Sequence, residues 1–146
     1  MIKLSPRGDE LAFFALTDEA PQRGIPSRTD VIARASASWR LLIAPIAGGT
    51  EREIARAAAG QQFQIGGGNE GLAWSADGRF VYYAKQLAPG GDFEVFRVPA
   101  AGGAEERLGL AGVSLRDLSV SPDGSRIAFA MGPLNRPEIW AVSTTR

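Results

Sequence analysis

Three short segments of the chain carry one turn signature, and no other feature limits the fold as much. They are Ser5-Pro6-Arg7-Gly8-Asp9, Ser75-Ala76-Asp77-Gly78-Arg79 and Ser121-Pro122-Asp123-Gly124-Ser125. Each follows a short apolar stretch and precedes an apolar, aromatic-rich one, such as Val81-Tyr82-Tyr83-Ala84 or Ile127-Ala128-Phe129-Ala130. A third apolar element recurs at Leu41-Leu42-Ile43-Ala44, Val95-Phe96-Arg97-Val98 and Ile139-Trp140-Ala141-Val142. After the first two of these comes a Gly-Gly pair, Gly48-Gly49 or Gly102-Gly103, and then a charged run beginning at Glu51 or Glu105. In the turn, Pro presets φ, Asp bonds nearby backbone N–H groups and Gly takes a positive φ.

Short strands, Gly/Pro turns and aromatic enrichment make each unit a four-stranded antiparallel meander. Ser75 and Ser121 start units of about 45 residues, the size of one propeller blade. The first interval is longer, and its excess falls in a loop over 17–38 and in the connector before Ser75, where insertions are tolerated. The chain is therefore read as all-β, with about three blades. Blade one covers 1–68 with the inserted loop 17–38, blade two 69–112, and blade three 113–146 without its outer strand. Repetition makes Phe13, Trp74, Tyr82, Tyr83, Phe96, Phe129 and Trp140 blade-packing residues. Trp39 is placed at the core or at the rim.

Composition narrows the chemistry. The 146 residues contain no Cys and no His, so a Ser-His-Asp triad, a cysteine nucleophile and the usual zinc sites cannot be built within the chain. Acid–base work is left to carboxylates, Tyr82, Tyr83, Lys3 and Lys85. With 16 Lys+Arg against 16 Asp+Glu, the formal charge is zero, which argues against nucleic acid as a partner. No apolar run reaches the roughly 18 residues of a membrane span, and residues 1–6 show no signal-peptide core. No dense Asp-x-Asp spacing marks a calcium loop. No catalytic, cofactor or metal site is expected.

The Asp residues of the turns, Asp77 and Asp123, read as structural because they repeat. Insertions on one face of a repeat array often form binding surfaces. The loop 17–38 carries Arg23, Arg28, Asp30 and Arg34, and 29–37 has the pattern of a short capped helix. Glu70 and Arg116 occupy equivalent positions before two inner strands, where a propeller has its channel mouth. These six residues form the candidate binding surface. The run Gly66-Gly67-Gly68-Asn69-Glu70 lacks the Lys-Ser/Thr of a phosphate loop and reads as a connector between blades.

The Ser-Pro-Asp-Gly turn, the apolar strand after it and the Gly-Gly hairpin resemble the WD-like propeller repeats of the TolB type along nearly the whole chain. The resemblance implies a non-catalytic module that binds a protein or peptide, in the bacterial periplasm if it extends to function. The chain also resembles the gating propeller of prolyl-oligopeptidase-like serine peptidases, whose catalytic domain would lie outside it. Propellers typically close with four to eight blades. Three blades therefore read as the C-terminal part of a larger propeller, with the remainder of the ring or a second copy as partner.

Overall fold

The computed structural model describes residues 2–17, 38–65, 71–112, 115–132 and 136–144. Its elements are strands in three antiparallel sheets. The first sheet runs β1 (Ile2–Leu4), β2 (Glu10–Leu16), β3 (Trp39–Pro45) and β4 (Arg52–Ala57) in that order. The second is built on β6 (Leu72–Trp74), β7 (Phe80–Gln86), β8 (Phe93–Pro99) and β9 (Glu106–Gly112). The third has β10 (Arg116–Val120), β11 (Arg126–Met131) and β12 (Glu138–Ser143), with no fourth strand on β12 among the described residues.

A further strand, β5 (Gln62–Phe63), was not marked by the repeat. It pairs with Lys85 and Gln86 of β7, while β6 pairs with Val81, Tyr82 and Tyr83 of the same strand. Gln64 N–H donates to the Ala84 carbonyl, and Ala84 N–H donates to that of Gly71. β5 and β6 thus form one inner line along β7, interrupted by the connector. Where the line resumes, Gly71 passes so close to Gln64 that a Cβ on it would lie 2.7 Å from the Gln64 Cβ.

The turn signature works through its serine as much as through its aspartate. Ser75 Oγ accepts from the Phe80 N–H at 2.9 Å and donates to Asp77 Oδ1 at 2.6 Å; that carboxylate also accepts from the Arg79 N–H at 3.0 Å. Ser121, Asp123, Ser125 and Arg126 repeat the pattern. In the first copy Arg7 stands where the others have Asp, and Asp9 supplies the carboxylate instead, accepting from Ser5 Oγ at 2.8 Å. Gly8, Gly78 and Gly124 all take φ between 70° and 76°, a region other residues enter at a cost. Bonds from the Ser75 hydroxyl and the Arg79 backbone N–H hold the Asp77 carboxyl below its usual range, and those from Ser121 and Ser125 hold Asp123 at about 2. Both turns therefore favour the folded state above the ordinary carboxylate pKa and lose that contribution as pH falls through the lowered folded values, about 2 for Asp123. Ser75 is buried, so Ser75→Ala strands the Phe80 N–H and lowers the unfolding free energy by about 1–2 kcal/mol, measurable by urea titration.

Side-chain alternation divides the core into two layers. Val81 and Tyr83 of β7 face the first sheet and pack with Ala12, Leu41 and Ile43. Tyr82 and Ala84 face the third sheet and pack with Leu118, Ile127 and Phe129. β7 is consequently buried on both faces. Trp39 packs half-buried against the first layer. Trp140 departs from the expectation of blade packing. It is 47% exposed, because β12 is an edge strand, and its Nε1 donates to Glu138 of the same strand.

Candidate functional site

The inner strands β1, β6 and β10 lie side by side. Between them runs a groove lined by Lys3 and Leu4 of β1, Leu72, Ala73 and Trp74 of β6, and Leu118, Ser119 and Val120 of β10. Trp74 Nε1 donates to the Lys3 carbonyl at 3.0 Å and so ties the first sheet to the second at the groove. The lining mixes apolar bodies with an ammonium and a hydroxyl.

Just before the groove residues Leu118 and Ser119 of β10 stands the sole non-glycine residue at positive φ among the described residues. Asp117 has φ of 54° and is exposed, at a register shift between Arg116 and Ser119. Left-handed backbone is tolerated by Asp but carries strain, and such strain gathers at functional positions. Asp117 takes the place that Gly71 holds in the preceding unit, but Gly71 is not at positive φ, so the repeat carried no signal for this conformation.

Of the six sequence-derived candidates, Arg23, Arg28, Asp30, Arg34 and Glu70 lie outside the described residues, as do the 29–37 helix and the Gly66–Glu70 run. Arg116 opens β10 opposite Ala130 and is only 4% exposed. Its side chain interacts within the chain. It therefore sits in the packed layer rather than as a solvated charge at the mouth, and the exposed charge there is its neighbour Asp117.

The groups left for acid–base chemistry occupy the sheet interface. Lys85 Nζ is buried, donates to Glu105 Oε2 at 2.5 Å and lies 4.8 Å from the Phe96 ring centroid. The Tyr83 hydroxyl points towards Glu105 without reaching hydrogen-bond geometry. Burial first, and the Glu105 charge second, push its pKa far up. Two further clefts open at the turn end. One, between the first and second sheets, is crossed by Arg52, which pairs with Glu10 at 2.8 Å and donates to the Ala100 carbonyl at 2.9 Å. The other, between the second and third, holds Asp77, Arg97 and Asp123. Among the described residues no group of three or more carboxylates could hold a metal ion.

No protein-family model matches the chain, and no curated protein matches it in sequence. Solved structures do match in shape. TolB from Acinetobacter baumannii superposes with a TM-score of 0.61 at 15% identity, over 97% of this chain and 29% of its own. A protein assigned as TolB from Agrobacterium tumefaciens gives 0.58 at 22% identity, over 96% and 40%. The β-propeller domain of the Trilobed protease from Pyrococcus furiosus gives 0.59 at 12% identity, over 94% and 36%. The chain thus spans well under half the length of each. At these identities the likeness is one of fold, and that fold is a set of TolB-like β-propeller blades, three antiparallel sheets in sequence, the last with three strands among the described residues.

Proposed function

We propose that the chain is a non-catalytic propeller module that binds a protein or peptide segment along the groove between its inner strands. The observation that carries this reading is the meeting of β1, β6 and β10 around Leu4, Trp74 and Ser119, with the strained, exposed Asp117 on the same inner strand. Polypeptide binding fits the neutral charge and the absence of His and Cys better than chemistry or nucleic acid does. The likeness to a TolB fold supports the reading without fixing a partner.

The test is selection of peptides from a random displayed library on the immobilised chain, followed by titration of the selected peptides. Ser119→Trp, at an exposed groove position, should weaken them at least tenfold with the thermal unfolding transition retained. Asp117→Gly keeps the backbone conformation and removes the carboxylate, which separates its charge from its strain. Binding unaffected by Ser119→Trp would remove the groove from the proposal.

The match to a protease's propeller domain supports a second reading, a gating propeller for a hydrolase domain. Under either reading the chain alone hydrolyses neither peptide nor ester substrates. Hydrolysis that copurifies with the chain through successive columns would overturn both.

A further inference from the structure

The interface between the first and second sheets and that between the second and third use corresponding positions. Ala12 and Tyr82 each fall seven residues after a turn serine, and Ile43 and Arg97 each fall five before a Gly-Gly pair. In the first interface Ala12 and Ile43 lie opposite each other and pack with Ile54, Val81 and Val98 into the core. In the second the opposed pair is Tyr82 and Arg97. A guanidinium therefore stands where the first interface has an aliphatic side chain. β9 also departs from β4. In β4 a single extra residue, Ile54, breaks the register and is buried. In β9 the three residues Leu108 to Leu110 oppose Val95 alone. Gly109 takes φ of 72° in this bulge, and Leu108 and Leu110 both pack against the core layer shared with the third sheet. Bulges of this kind re-aim side chains and are frequent beside functional sites.

Between the second and third sheets these changes leave a cavity of about 190 Å³. Both of its walls are sheets of this chain. Leu108, Leu110, Ile127 and Val142 supply apolar lining, and Arg97 and Glu106 supply opposite charges. Nε and Nη2 of Arg97 both meet Oε2 of Glu106 at 2.7 Å, and the guanidinium lies 5.0 Å from the Phe80 ring centroid. The Arg97 side chain is 27% exposed and that of Glu106 55%, so the pair is reached from solvent. An anion alone would meet Glu106 unfavourably, and a cation alone would meet Arg97 so. The complement of the pair is one small molecule with both charges. A guanidinium has five N–H donors and can serve a second carboxylate beside Glu106. A cavity of about 150 Å³ holds a benzene ring, so this one has room for an aliphatic group and a small polar head. We propose that it binds a free α-amino acid with a branched aliphatic side chain. The carboxylate lies on Arg97, the ammonium on Glu106, and the side chain among Leu108, Leu110, Ile127 and Val142.

Nuclear magnetic resonance titration of the isotope-labelled full chain tests this with three probes. They are L-leucine, isocaproate, which lacks its ammonium, and isoamylamine, which lacks its carboxylate. Leucine should shift the Tyr82, Leu108 and Val142 amides saturably. Either analogue should bind at least tenfold more weakly, since each forfeits one charge-assisted hydrogen bond. Arg97→Leu, which restores an aliphatic side chain like that of the first interface, should abolish the shifts. Glu106→Gln, at an exposed position, should weaken leucine at least tenfold and leave isocaproate no weaker. Circular dichroism with thermal unfolding checks that both variants fold, and Glu106→Gln carries the test alone if Arg97→Leu does not. No saturable shift with leucine would overturn the proposal. Equal affinity for the three probes would overturn it too, and so would undiminished leucine binding by Glu106→Gln.

Discussion

Replacing Tyr83 by Ala lowers the unfolding free energy by about 3–5 kcal/mol, the range for a large aromatic removed from a core. Tyr83 is fully buried at the centre of the layer between the first and second sheets. Its ring meets Phe63 edge-on at 5.4 Å and stacks on Phe96 at 5.8 Å, and Phe63 in turn stacks on Phe14 at 4.6 Å. These four rings belong to β2, β5, β7 and β8, so the cavity would open where two sheets meet rather than within one. Total stabilities of single domains are about 5–15 kcal/mol, and the loss is therefore a large part of the whole. Urea unfolding at one fixed protein concentration measures it, since association would shift the apparent value. Tyr83→Phe provides the contrast. Its hydroxyl has no hydrogen-bond partner among the described residues, so removing it changes stability by less than about 1 kcal/mol. Equal losses in the two variants would show that the hydroxyl, and not the ring, holds the layer together.

The turn signature made the architecture legible because it reports backbone geometry. A Ser that accepts from the strand five residues on, a carboxylate bonded to that Ser and a Gly at positive φ leave little freedom in how the strands leave the turn. The first copy shows what such a reading misses. Arg7 stands at the turn position that Asp fills in the other two copies, yet Asp9 supplies the carboxylate from two residues further along. The requirement is for a charge within reach of the serine, and one-to-one alignment does not see that. β5 escaped notice because two residues show no periodicity, and its pairing with β7 depends on a chain partner beyond the connector.

The candidate site was less legible. Spacing placed Arg116 at the entrance to β10, but it could not say which way its side chain turns. Arg116 is buried while Asp117, the next residue, is exposed, because successive residues of β10 alternate between the two faces of the sheet. Lys85 shows the same limit. It looked available for proton transfer, and only the fold reveals that Glu105, far along the chain, has taken it into an ion pair.

Raising the pH above about 10 destabilises the chain through Tyr83. An unfolded tyrosine ionises near its ordinary value of 10.0, whereas burial and the neighbouring Glu105 carboxylate keep the folded phenol protonated far above it. In that window the folded state binds one proton more than the unfolded state, so stability falls as pH rises. The slope is about 1.4 kcal/mol per pH unit for one proton. Below the unfolded value both states hold the proton and the effect vanishes. Lysines and other groups titrate in the same range, and the comparison that cancels them is wild type against Tyr83→Phe. Urea unfolding of both from neutral pH to about 11.5 should give parallel curves up to about pH 10, after which wild type loses about 1.4 kcal/mol per unit relative to the variant. Parallel curves throughout would mean that the phenol ionises as readily in the folded state as in the unfolded one. The sheet interface would then admit water at Tyr83, contrary to the packing of Phe63, Tyr83 and Phe96.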